Sequence, residues 1–278
     1  MRPLVLIAII TVGCGATPTS PSGSPANGTR IATIRGRVQD AVSRPIADAR
    51  VTIVDGPQAG LSTTTNEDGR FAFAPFTTPS DATALRIEKA GFAPVTPRWG
   101  TRDEGSIALQ SLTPLDIEGQ YTITFAAAAA CSQLPAAAQT RTYTAAISPT
   151  RPDRLNFTST LTGAEFQRGY DTFFAGVASD AARLYIYSWD AFNWWLEDDP
   201  IIERLTPTSH LSISGTATTA VSSNQSTITA AFDGTFSFCA ESKPGAQPQW
   251  PPTCAVPPLE CTSPRHQLTM TARLDPHT

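Results

Sequence analysis

The chain has 278 residues, a formal net charge of −4 and only 16% charged residues. This length suits two domains and a leader, because one hydrophobic core usually serves about 100–200 residues. A mildly acidic chain with few lysines gives DNA and RNA little electrostatic footprint, because nucleic-acid-binding proteins need a clustered basic face, so we expect no nucleic-acid partner. Arg35 and Arg37 come nearest to a basic run, but they alternate with apolar residues and are interpreted as the solvated side of a strand.

The first 14 residues have the pattern of an export leader. A short positive start precedes the apolar run Leu4–Ile10, which is much shorter than the about 20 residues of a membrane-spanning helix. The run ends at Thr11-Val12-Gly13-Cys14, which resembles the lipobox of bacterial lipoproteins, with Thr11 where Leu is usual. The resemblance implies a signal peptide over 1–14 that ends at a lipidated Cys14. A plain secretory leader or a buried strand is the alternative.

Residues 15–30 are rich in Pro, Ser and Gly and contain no run of large apolar side chains. Such a segment is expected to form a flexible tether. In the lipoprotein class, Asp after the cysteine retains the protein at the inner membrane, and Gly15 stands there instead. The resemblance therefore implies an exported outer-membrane lipoprotein that faces the periplasm or the cell surface.

Five cysteines occur in the chain. With Cys14 set aside, an even number remains, which in an oxidising compartment predicts up to two disulfides with three possible pairings. A zinc site is the alternative, but zinc sites usually contain close Cys-x-x-Cys pairs and the sequence has none. We expect no metal and no cofactor. The disulfide candidates are Cys131, Cys239, Cys254 and Cys261.

Residues 31–111 alternate apolar and polar side chains with a period of two. Each run is short and is bounded by Gly, Pro, Asp or Asn, which is typical of half-buried strands in a small β-sandwich. Within this range Asp68-Gly69 predicts a hairpin turn, because glycine reaches positive φ without steric cost. The acidic residues beside it are interpreted as a solvated turn rather than a calcium loop.

The motifs of this module follow one another in a fixed order. They are Gly36-Arg37-Val38, Pro45–Val51, Thr63–Phe71, Leu85–Phe92 and Ile107–Leu109. Together they resemble the carboxypeptidase regulatory-like domain, a transthyretin-like β-sandwich that accompanies exported bacterial proteins. The resemblance implies a structural or docking module without catalytic residues.

The same alternation resumes over residues 116–276 and predicts about eight strands. Eight is the number at which an up-and-down barrel closes and removes its sheet edges, so an antiparallel eight-stranded β-barrel is favoured over a second sandwich. Ile117–Tyr121 faintly resembles the start of lipocalin-type barrels. The predicted fold class is all-β, with a transthyretin-like sandwich followed by this barrel.

The cysteine positions fit a closed barrel. The first and last strands of an up-and-down barrel are neighbours, so all four cysteines are expected at one rim. This arrangement favours the pairs Cys131–Cys261 and Cys239–Cys254. The Pro-rich segment from Pro244 to Pro264 is expected to be a loop that these bonds pin.

An aromatic and acidic cluster at residues 189–199 is the candidate ligand patch at the barrel mouth. Aromatic faces beside carboxylates bind sugars or cations, which suggests carbohydrate binding. The alternative is that the rings plug one end of the barrel and the acids form a solvated turn. The candidate residues are Trp189, Trp194, Trp195 and Asp198.

The sequence contains no recognisable catalytic constellation. His210, His266 and His277 lie far apart and form no metal-ligand pair, and no Gly-x-Ser-x-Gly motif occurs. His210 is expected at the surface, ahead of a strand. We therefore expect no enzyme, although an unrecognised hydrolase with polar groups converging inside the barrel is a third reading.

Two functions of different class remain. The first is a non-catalytic envelope lipoprotein whose barrel binds a small apolar ligand, a glycan or an envelope protein. The second is a purely structural or adhesive surface module with a barrel filled by its own side chains. An open barrel interior favours the first, and a solid interior favours the second.

Overall fold

The computed structural model describes residues 30–78, 82–100, 105–150, 154–188, 199–221, 226–240 and 254–273. Within these ranges the chain is built almost entirely from β-strands, and one short helix, α1, spans Ala136–Gln139. None of the helices in this described part is long and apolar enough to cross a membrane.

The first module is a sandwich of two four-stranded sheets, with a separate two-stranded pair. One sheet has the order β5-β2-β10-β8, the other β4-β3-β7-β9, and β1 pairs with β6. The pairings are antiparallel except for β2 with β10, which is parallel. The strands are β1 (Arg30–Ala32), β2 (Arg35–Asp40), β3 (Arg50–Ile53), β4 (Ser62–Thr64), β5 (Arg70–Ala72), β6 (Phe76–Thr78), β7 (Ala82–Glu88), β8 (Phe92–Ala93), β9 (Arg98–Gly100) and β10 (Ser106–Ser111).

The inward positions of the two sheets form the core of the first module. Alternation along each strand places one side chain in two between the sheets, where burying apolar area stabilises the fold. Gly69 makes the predicted turn before β5 with φ of 72°. A Cβ there would lie 2.3 Å from the carbonyl oxygen of Val38, so a larger residue does not fit. The core residues include Ile34, Val38, Val51, Ile53, Phe71, Leu85, Ile87, Trp99 and Leu109.

The second module is a closed antiparallel barrel. Eight strands follow one another around it in chain order, β11-β12-β13-β15-β16-β18-β19-β20, and β20 pairs with β11 to close it. The short strands β14 and β17 pair with each other and extend the wall beside β18. The strands are β11 (Gly119–Ala126), β12 (Thr140–Pro149), β13 (Asn156–Thr162), β14 (Glu165–Phe166), β15 (Thr172–Val177), β16 (Ala181–Ile186), β17 (Ile201–Thr206), β18 (Ser209–Ala220), β19 (Thr227–Ala240) and β20 (Leu259–Ala272). The predicted sandwich and eight-stranded barrel are confirmed.

Two local irregularities occur in the long strands of the barrel. Gly215 and Gly234 pair across β18 and β19, and a Cβ on Gly234 would lie 2.1 Å from the carbonyl oxygen of Ser214. This close approach permits a sharp bend of the two strands. In β20 the register shifts opposite Asp233 of β19. Pro264 and Arg265 together oppose this one residue and form a bulge. The prediction of a loop up to Pro264 was therefore wrong: β20 begins at Leu259, and the bulge accommodates a residue that donates no ladder hydrogen bond.

The two modules touch through the β2–β3 loop and the β15–β16 hairpin. Asp40 is buried and accepts from the backbone N–H groups of Val42 and Arg44 at 3.0 and 2.8 Å. The Arg44 guanidinium donates to Asp40 at 2.7 Å and, across the modules, to Asp180 at 2.6 Å. Beneath this bridge a small apolar cluster joins Val42 to Ala178 and Ala181.

We expect Arg44→Gln to perturb both modules. The substitution removes the shared guanidinium, and we expect the free energy of unfolding to fall by about 1 kcal/mol because the buried Asp40 carboxylate loses a charged partner. Amide chemical shifts of residues 178–181 should also change, although they lie in the other module. Arg86→Gln is the matched control, since Arg86 pairs with Glu88 inside the first module. Unchanged shifts at 178–181 in the Arg44 variant contradict the contact.

Candidate functional site

One end of the barrel carries both disulfides and is called the disulfide end. Cys131, in the β11–β12 loop, is bonded to Cys261 in β20, with their Cα atoms 5.6 Å apart. Cys239, in β19, is bonded to Cys254, with a Cα separation of 5.4 Å. These are the two pairs that the sequence favoured. The strand ends Ala126, Thr140, Ser209 and Ala240 lie at this same end, opposite the β15–β16 hairpin that meets the first module.

The barrel interior next to this end is packed with aromatic rings. Phe125 is fully buried, and its ring centroid lies 6.1–6.2 Å from those of Tyr143, Phe173 and Phe232. The pairs with Phe173 and Phe232 are edge-to-face, an arrangement that is favourable beyond the area the rings bury. These four buried side chains come from four different strands and fill the interior of the barrel next to the disulfide end.

A charged cluster lies in the barrel wall beside these rings. The Glu203 carboxylate in β17 is only 3% exposed and accepts the Nε–H of Arg141 at 2.7 Å and the hydroxyl of Tyr143 at 2.8 Å. A second donor of Arg141, Nη2, contacts the other carboxylate oxygen, which makes the pair bidentate. The hydrogen bond to Glu203 raises the pKa of Arg141, and burial raises the pKa of Tyr143. The carboxylate is thus engaged by three hydrogen bonds, which is a structural arrangement rather than that of a general base.

The sequence did not indicate this cluster. Arg141 and Tyr143 are two residues apart and therefore lie on the same face of β12. Glu203, however, lies 62 residues from Arg141 in the sequence. The one available signal was an acid directly after two isoleucines, Ile201 and Ile202. An acidic residue at such a position requires a buried partner.

His266 lies inside the barrel, between the rings of Phe232 and Phe236, with centroids 5.1 and 4.8 Å away. Its Nδ1 accepts the backbone N–H of Ala128 at 3.0 Å. Its Nε2 lies 3.1 Å from the carbonyl oxygen of Gly234 and therefore donates to it. Both ring nitrogens are used by the backbone, which holds the neutral imidazole in one tautomer.

The burial of His266 predicts that the folded barrel is less stable at acidic pH than at neutral pH. Burial lowers the pKa of His266 below the ordinary value near 6.5. The unfolded chain takes up a proton below about pH 6.5 that the folded barrel resists, so stability present above that pH is lost as the pH falls. We expect urea unfolding to show a lower free energy at acidic than at neutral pH. His266→Gln should flatten this dependence, and an equal pH dependence in both proteins contradicts it.

His210 does not lie at the surface as expected. It is the second residue of β18, and its side chain is buried. It pairs with Arg204 of β17 on one side and with Cys239 of β19 on the other, so it sits within the sheet rather than ahead of it.

The lipidation site and the aromatic patch lie outside the described residues. The residues that flank the patch are described: Ser188 and Asp199 form an antiparallel bridge, with the Ser188 N–H donating to the Asp199 carbonyl at 2.6 Å. This bridge follows the end of β16 on the disulfide side of the barrel. The undescribed candidates are Cys14, Trp189, Trp194, Trp195 and Asp198.

No group of three or more His, Cys, Asp or Glu side chains able to hold a metal ion occurs among the residues that the structure describes.

In the comparisons with known proteins, residues 33–110 match the family model of the carboxypeptidase regulatory-like domain. The match covers β2 to β10 and confirms the resemblance seen in the sequence. The matched domain is non-catalytic. No curated protein matches the chain.

Proposed function

We propose that the chain is a non-catalytic cell-envelope lipoprotein in which a carboxypeptidase regulatory-like domain carries a β-barrel and presents its disulfide end to a partner. The domain acts as a spacer, and the anchor is a lipid on Cys14 at the outer membrane. The partner is an envelope protein or a glycan bound at the outer surface of that end.

The observation that carries this proposal is the opposition of the two ends of the barrel. The hairpin around Asp180 contacts the first module, whereas both disulfides lie at the far end. An end that is turned away from the spacer and braced by covalent bonds is a suitable recognition surface, because rigid scaffolds with surface loops carry most binding sites.

The filled interior argues against a small apolar ligand held inside the barrel. Phe125 packs against three other rings next to the disulfide end, within a continuous buried core, and ligand sites of soluble barrels are concave spaces rather than packed cores. The same observation supports the second candidate, a purely structural or adhesive module. The two candidates differ in whether the disulfide end has a specific partner.

Two further observations support an exported, non-enzymatic protein. Two disulfides form and persist in oxidising compartments such as the bacterial periplasm. Two deeply buried ionisable groups at the disulfide end, Glu203 and His266, already have their hydrogen-bonding atoms engaged by protein groups. This leaves neither in the state of a general acid or base poised for a substrate.

The lipid anchor is tested by labelling. The full chain is produced in a bacterium with an outer membrane in the presence of radiolabelled palmitate, and we expect label in the membrane fraction. Cys14→Ser should be unlabelled. If the parent chain carries no label, or if the two proteins carry equal label, the proposal of a lipid anchor on Cys14 is overturned.

The partner is tested by site-specific photocross-linking in cells. A photoreactive residue replaces Ser132, which is exposed in the β11–β12 loop at the disulfide end. The matched control replaces Ser148, exposed near the opposite end of β12. A discrete cross-linked band at position 132 alone supports the proposal. Equal patterns, or no product at either position, favour the structural module.

A further inference from the structure

The sheet β5-β2-β10-β8 of the first module has an uneven charge distribution on its outward face. Strand alternation places three arginines there, and the other outward strand positions are uncharged. No Asp or Glu occupies an outward position on the described parts of these strands. The outward residues are Arg35, Arg37 and Gln39 on β2, Arg70 and Ala72 on β5, and Ser106, Ala108 and Gln110 on β10.

The arginines line an open groove of about 570 Å³, together with Asn66 and Ser106. Arg37 and Arg70 stand directly opposite each other in the β2–β5 register. The Nε of Arg37 donates to the backbone carbonyl of Asp68 at 3.0 Å, so one side of its guanidinium is held by the backbone. We name the surface formed by Arg35, Arg37 and Arg70 the basic face.

The basic face differs from the outward side of the other sheet of the sandwich. There Arg86 pairs with Glu88 at 2.8 Å and Arg98 pairs with Asp55 at 3.6 Å. Within the described chain, neither Arg37 nor Arg70 forms an ion pair with a carboxylate. Like charges directly opposite each other in neighbouring strands are destabilising, and an external anion removes this repulsion.

The shape of the groove favours an extended anionic surface over a small soluble ligand. Pockets for small molecules enclose most of their ligand, whereas this groove lies open on a sheet face. Guanidinium groups bind phosphate oxygens in a bidentate manner and are suited to phosphate-bearing headgroups. Arginines close to an anionic membrane each add to the attraction.

We infer that the basic face docks on the phosphate headgroups of an anionic lipid membrane. The inference rests on the proposed envelope location but not on the lipid at Cys14. The face then sets the orientation of the first module on the membrane, which a lipid anchor followed by a tether does not do by itself.

The test uses the full chain carrying Cys14→Ser, so that no lipid anchor contributes. Binding to vesicles of phosphatidylglycerol and phosphatidylcholine is compared with binding to phosphatidylcholine alone by co-sedimentation. We expect stronger binding to the anionic vesicles, and weaker binding as salt rises, because exposed charges are screened within about 10 Å at 0.1 M salt. Arg37→Gln with Arg70→Gln should weaken anionic-vesicle binding about 25-fold, at roughly fivefold per arginine.

The matched control is Arg86→Gln with Arg98→Gln, which removes the same charge from the other sheet. It should weaken binding far less, because these arginines are already paired with carboxylates. Equal losses in the two double variants, or no preference for anionic vesicles, overturn the inference. Unchanged thermal unfolding of each variant establishes that the fold is intact.

A third arm distinguishes lipid from soluble phosphate. Inorganic phosphate and pyrophosphate are titrated into the Cys14→Ser chain by calorimetry. Saturable binding of either anion, without binding to anionic vesicles, overturns the lipid assignment. The lipoprotein proposal fails separately, in the palmitate experiment, so the two outcomes remain distinguishable.

Discussion

Phe125→Ala should be the most damaging single substitution of a barrel core residue. The ring is fully buried and packs against Tyr143, Phe173 and Phe232 inside the barrel. Truncation removes these contacts and leaves a cavity that rigid neighbouring strands cannot close. We expect the free energy of unfolding to fall by about 3–5 kcal/mol, measured by urea denaturation.

The control for this substitution is Leu112→Ala. Leu112 is 64% exposed, so deleting its side chain should change the free energy of unfolding by no more than about 0.5 kcal/mol. A small loss at Phe125 contradicts a packed interior. It would instead indicate internal space that absorbs the change, and would return the ligand-binding barrel to consideration.

The closed barrel was predictable because its strands are long, regular and consecutive in the chain. Inward residues such as Ile123 and Phe125 recur with a period of two, and consecutive strands pair in order around the barrel. The strands β14 and β17 were not predictable. β14 has two residues and too little pattern, and β17 pairs with β18 outside the eight-strand order.

Pro264 shows where local composition misled the interpretation. A proline among further prolines indicates a loop, since it donates no hydrogen bond. In the folded chain one extra residue in β20 opposes Asp233, so the proline lies in a bulge and the strand continues past it. Only the register between β19 and β20 contains that information.

The contents of the disulfide end were predictable to different degrees. The cysteine pairs followed from topology, because closure brings the loop after β11 next to the start of β20. The Arg141–Glu203 pair did not, because Glu203 reaches Arg141 only through the pairing of β17 with β18. A contact that depends on the register of an added strand leaves no periodic signal in the sequence.

The two disulfides should contribute unequally to stability, and their order follows from the chain each one closes. Cys131–Cys261 spans 130 residues and Cys239–Cys254 spans 15. In the chain-entropy model, a bond that closes a longer loop restricts the unfolded chain more. The expected losses are about 5 kcal/mol for Cys131→Ser with Cys261→Ser and about 3 kcal/mol for Cys239→Ser with Cys254→Ser.

Both double variants are compared with the parent by urea unfolding at neutral pH without reductant. The long-range bond also ties the first strand of the barrel to the last, so its loss weakens closure itself and should reduce the cooperativity of unfolding. The short-range bond joins segments within one β19–β20 connection and should leave cooperativity unchanged. A larger loss from the short loop contradicts the entropic account. It would mean that native contacts at the disulfide end, rather than restriction of the unfolded chain, make these bonds stabilising.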